Sequence, residues 1–69
     1  MKIAKYIGKH ISITFNDGMV LNGRVINYTV AGDNDPEEES IEFIPESGVM
    51  KDQVAEVMEH EVKSVKVLD

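Results

Sequence analysis

The stretch from Thr14 to Val30, TFNDGMVLNGRVINYTV, restricts the fold more than any other part of the chain. Asn16, Asp17 and Gly18 tolerate positive φ and close a hairpin. The turn is either a two-residue type I′ turn at Asp17-Gly18 or a longer loop with Gly18 left-handed. Before it, Ile11, Ile13 and Phe15 alternate with Ser12, Thr14 and Asn16, the pattern of a half-buried strand beginning at His10. The returning strand runs from Met19 to about Val30 and changes phase, with Leu21 and Val25 on one parity and Ile26, Tyr28 and Val30 on the other. Gly23 lies inside it. A glycine there permits a bulge or sharp coil, so that one long strand serves two sides of a small barrel; the other use of a strand glycine is to let a ligand approach bare backbone.

The remaining segments fit around that hairpin. Ile3, Ala4 and Ile7 share a helical face and Gly8 stands where a helix ends left-handed, which predicts one or two helical turns over residues 2 to 7. So short a helix is stable only when packed on something else. AGDNDPEEES, residues 31 to 40, has no apolar period and predicts a mobile acidic loop. SIEFIP then predicts a strand with Ile41 and Phe43 inward, ended or marked as an edge by Pro45. Residues 50 to 60 fit a helical stripe through Met50, Val54, Val57 and Met58, but the tail is rich in valine, which favours strands. A strand over 53 to 58, a tight turn over 59 to 62 and a last strand over 63 to 68 are therefore expected. The predicted fold class is mainly all-β: a five-stranded, strongly bent SH3-like barrel with a short N-terminal helix, forming one domain over residues 1 to 69.

A chain of 69 residues buries only about 60% of its unfolded surface. With no cysteine to cross-link it and no Cys/His cluster for zinc, support falls to a well-packed core or to burial against another copy. A homo-oligomer, ring or dimer, is the expected partner. No apolar run approaches the roughly 18 residues of a membrane span, and MKIAKYIG lacks the apolar segment of a secretory signal, so a cytoplasmic protein without membrane association is expected. The net charge of −6 works against a sequence-independent grip on phosphate. It is unevenly spread: Lys2, Lys5, Lys9 and Arg24 face only Asp17 in residues 1 to 30, and the acidic excess lies beyond.

Helix, strand, Asp-Gly turn and a long bent strand with a central glycine together resemble the Sm-like (Lsm) family. The resemblance lies in YIGKHISITFNDGMVLNGRVINY, residues 6 to 28, which looks like the first Sm motif through Gly8, Ile11, Ile13, Phe15, Asp17, Gly18, Gly23, Val25 and Tyr28. It covers about a third of the chain. It implies a bent five-stranded barrel capped by the N-terminal helix, assembly into rings by pairing of the fourth strand of one subunit with the fifth of the next, and single-stranded RNA around the pore. The chain departs from the family at both base-binding elements. Thr29 and the acidic loop stand where the first motif continues with Asp and Asn, and Glu59 and His60 stand where the second motif offers Arg-Gly.

Other constellations carry less. Asp33, Asp35 and Glu37 alternate as in the opening of a calcium loop, but the sixth position is Glu38 where Gly is required and the twelfth is Ile44 where a bidentate Glu belongs. His10 and His60 have no metal-ligand spacing, and the serines have no Gly-x-Ser-x-Gly elbow, so no cofactor, no metal and no enzymatic activity are expected. Phe15 and Phe43 fall on the inward parity as core. The expected function is a non-enzymatic Sm-like interaction and assembly module, with a single-stranded RNA binder as the alternative and a protein partner as a further ligand class. The candidate contacts for nucleic acid or partner are Lys9, Arg24, Tyr28, Thr29 and His60.

Overall fold

The computed structural model describes residues 3–30, 32 and 38–68. Five strands form one antiparallel sheet: β1 (His10–Phe15), β2 (Val20–Thr29), β3 (Ser40–Pro45), β4 (Ala55–Met58) and β5 (Val62–Val67). Their spatial order is β4-β3-β2-β1-β5. The expected mainly-β class is therefore present, but the expected closure is not. β4 and β5 end the sheet on opposite sides without pairing to one another, so the sheet is open rather than a closed barrel. A 3-10 helix, Glu59–Glu61, joins these two edge strands. No helix of the described residues is long and apolar enough to cross a membrane.

The β1–β2 hairpin takes the longer of the two expected turns. Phe15 N–H donates to Met19 O (2.8 Å), Gly18 N–H donates to Phe15 O (2.9 Å) and Gly18 has φ +91°. Asp17 Oδ1 accepts the Met19 N–H at 2.9 Å, which fixes the loop from inside. Such a loop, with a left-handed residue before the strand resumes, is the usual three-residue alternative to a type I′ turn.

The phase change expected in β2 is real, but Gly23 does not cause it. The register is Gly23↔Pro45, Arg24↔Ile44 and Val25↔Phe43, then Asn27↔Glu42 and Tyr28↔Ile41, so Ile26 is the extra residue of a bulge. Gly23 answers a different demand. A Cβ built on it would lie 2.2 Å from Ile44 O and 2.8 Å from Phe43 Cζ. The absent side chain lets β3 and the Phe43 ring close over β2. A second irregularity falls where β1 meets β5: Thr14↔Ser64 is followed by Phe15↔Val62, which leaves Lys63 outside the ladder.

The core draws on every strand: Ile11 and Ile13 from β1, Val25 from β2, Ile41 and Phe43 from β3, Val57 from β4 and Val62 from β5. Ile3 joins them with no exposed surface, and Tyr6, Phe15, Leu21 and Val65 pack around the rim. The inward placement of Ile11, Ile13, Ile41 and Phe43 follows the period-two pattern, while Phe15 is half-buried.

Several boundaries differ from expectation. The N-terminal helix is a single 3-10 turn, Ala4–Tyr6, and Ile7 is 43% exposed because the chain turns extended at that residue. Gly8, at φ +77°, ends the turn as expected. Residues 50–60 contain no α-helix: a turn region leads into β4, two residues later than expected, and β5 begins at Val62. Of the expected acidic loop, residues 31 and 33–37 lie outside the described residues, and the calcium-loop residues Asp33, Asp35 and Glu37 with them. Ser40 already belongs to β3, which Pro45 ends.

Candidate interaction surface

Among the described residues the sheet leaves two strands with a partner on one side only, and their side chains carry opposite charge. β4 holds Glu56 and runs directly into Glu59, whereas β5 holds Lys63 and Lys66. Glu56, Lys63 and Lys66 are exposed. Apolar residues flank both edges: Val54 beside β4 is 53% exposed, and Val67 and Leu68 at the end of β5 are 47% and 39% exposed. Charged residues on an edge deter indiscriminate pairing, but an acidic edge and a basic edge also attract one another.

The turn between the edge strands is held from three directions. Met58 N–H donates to Glu61 Oε1 at 2.9 Å within the turn. From the segment entering β3, Glu38 Oε2 accepts the His60 N–H at 2.9 Å, and its Oε1 pairs with His60 Nδ1. Glu59 N–H also donates to Glu39 O (3.0 Å). From the β1–β2 hairpin, Asn16 Nδ2 donates to His60 O at 2.6 Å and Asn16 N–H donates to Glu61 O at 3.0 Å. The Glu38 hydrogen bond raises the His60 pKa above its ordinary value; desolvation opposes it, and the charges of Glu38 and Glu61 add to it. Beside this turn lies a groove of about 370 Å³, lined by Phe15, Asn16, Asp17, Met19, His60 and Glu61.

The five residues nominated from the sequence fall into two groups. Lys9 and Arg24 are exposed neighbours near the start of β1: the Lys9 carbonyl accepts the Val25 N–H, and Arg24 lies opposite His10 with Nη1 3.4 Å from Gly8 O. Tyr28 and Thr29 lie four and five residues beyond Arg24 along β2, roughly 13–16 Å away at ordinary strand rise. They sit opposite Ile41 and Ser40, with Tyr28 42% exposed, and Ser40 in turn faces Met58 at the end of β4. His60 lies two residues after Met58, so it belongs with Tyr28 and Thr29 rather than with Arg24.

The basic pair also has acidic company that spacing did not reveal. His10 Nε2 lies 3.0 Å from Glu46 Oε2, and a groove of about 330 Å³ there is lined by His10, Gly23, Arg24, Ile44, Pro45, Glu46 and Asp52. Each histidine thus meets a glutamate far away in sequence. No local motif could have announced either pair, because the fold of β3 brings Glu38 and Glu46 to opposite ends of one strand. Comparison with family models, with curated proteins and with solved structures returns no match.

Proposed function

We propose that the protein is a non-enzymatic, Sm-like interaction module that assembles with copies of itself through the edges of its sheet. The observation that carries this is the pair of open edges with opposite charge, acidic at β4 and basic at β5. Two β5 edges would set lysines against lysines, and two β4 edges would set glutamates against glutamates. Pairing β4 of one copy with β5 of the next opposes unlike charges and extends the sheet. That contact is heterologous, so it repeats from copy to copy and closes into a ring where the rotation permits. The resemblance of residues 6–28 to the first Sm motif supports the same arrangement. An RNA-binding role ranks second, favoured by the adjacency of Lys9 and Arg24 and by the exposed Tyr28 ring.

Light scattering over a range of protein concentrations, with and without short single-stranded RNA, tests both. Wild-type protein is expected to form a species of several subunits without RNA. Lys66→Glu is expected to weaken it, and Lys66→Glu combined with Glu56→Lys to restore it. A strict monomer at high micromolar concentration would remove the assembly role, and salt-sensitive complex formation with RNA would move the second role to first.

A further inference from the structure

The connection between the two edges is three residues long, so the turn, together with the ladders that hold β4 on β3 and β5 on β1, sets the angle between the two edges. Assembly that uses both edges depends on this angle. In a rigid turn the edges are presented ready to pair, whereas in a loose one the angle must be ordered at the moment of association, which costs affinity. Among the described bonds that hold the turn, the one between His60 and Glu38 involves an imidazole, the side chain whose charge changes near neutral pH.

We infer that the His60–Glu38 pair is a pH-operated latch on the β4–β5 turn, which favours edge-to-edge assembly when His60 is protonated and releases it when His60 is neutral. This rests on the assembly role proposed above. The geometry is a two-point grip, because one Glu38 oxygen takes the backbone N–H of His60 and the other takes its ring nitrogen. Protonated, the imidazole must donate at Nδ1, and the contact is an ion pair. Neutral, it keeps at most a hydrogen bond from Nδ1–H to the carboxylate without the attraction of an ion pair, and in the other tautomer Nδ1 is itself an acceptor facing a carboxylate lone pair.

The groups around the ring favour the cation. Glu38 faces it from the segment before β3, Asp17 lines the same groove from the β1–β2 hairpin beside neutral Asn16, and Glu61 lies on the turn itself, with Glu59 preceding the histidine. Lys63, at the start of β5, is the cation that follows the turn. The sign follows from linkage. The folded-state pKa of His60 is raised, so the contribution of the latch is complete below the ordinary histidine value of about 6.5. It is lost as pH rises through the raised value.

The test compares wild type, His60→Gln, Glu38→Gln and His10→Gln at about pH 6 and about pH 8.5, on either side of a histidine titration. Self-association is read by sedimentation, and thermal unfolding is measured at dilutions where the protein is monomeric. Wild-type association is expected to be about two- to fivefold stronger at the lower pH, the range open to an exposed ion pair. His60→Gln and Glu38→Gln should flatten that difference, and the dilute unfolding midpoint should lose its matching pH step. His10→Gln should retain both, which separates the latch from the second histidine and from the general loss of negative charge on acidification. Association of equal strength at both pH values would overturn the latch and leave assembly standing. No association in any sample, with the pH step still present in dilute unfolding, would overturn both the assembly role and its control by this pair.

Discussion

At Gly23, β3 packs on β2 with no room for a side chain, and the requirement for glycine is steric. Because a Cβ at this position would meet the backbone oxygen of Ile44 at 2.2 Å, no rotamer change relieves the contact. Gly23→Ala is expected to destabilise the fold by about 3 kcal/mol, the upper range for overpacking, read as a lowered urea midpoint. A loss of stability of less than about 0.5 kcal/mol would show that β3 can move away freely. Asn22, its neighbour, has a buried Oδ1 without a hydrogen-bond partner among the described residues. Asn22→Val removes that carbonyl and suits a strand, so it should raise stability by about 1 kcal/mol in the same measurement. Sequence showed that position 23 was special, but it did not show why. The local pattern suggested a bend, whereas the requirement comes from Ile44 and Phe43 on another strand. His60 was likewise a nominated contact, but its glutamate, 22 residues away, was not.

Each strand of the sheet carries its own alternation, and the core is the sum of the inward positions. Phe43 is the largest of these and is fully buried between β2 and β4. Phe43→Ala should cost about 3–5 kcal/mol. A chain of this length has a total stability of about 3–10 kcal/mol, so the dilute variant should lose a large part of it and unfold at a much lower urea midpoint, followed by circular dichroism. A cooperative transition near the wild-type midpoint would mean that β3 is not the centre of the core. Strand elements were legible where alternation was long, as in β1 and β3, because burial of one face imposes period two. β4 was harder to place, since four residues, Ala55–Met58, are too few to separate a strand period from a helical one. The N-terminal turn contracted to Ala4–Tyr6 because its anchorage is Ile3 in the core, and nothing comparable holds Ile7.

At the scale of the whole molecule, the described residues build a small core and a sheet that ends in β4 on one side and β5 on the other. If assembly covers those edges, the unfolding temperature should rise with protein concentration by mass action. Because unlike charges draw the edges together, raising the salt concentration should weaken association, screening the attraction over a few ångströms at molar levels. Association that strengthens with salt would instead identify the exposed Val54, Val67 and Leu68 as its source. By itself the sequence determined the class of fold, the hairpin at Gly18 and most of the inward positions, since turn geometry and one-sided burial act over a few residues and leave a local pattern. Tertiary structure alone decided that the sheet stays open, that the bulge falls at Ile26, and that the nominated contacts divide into two groups. It also decided that Glu38 meets His60 and Glu46 meets His10, because these depend on which strands become neighbours, and no short-range pattern encodes a contact between residues 22 or 36 apart.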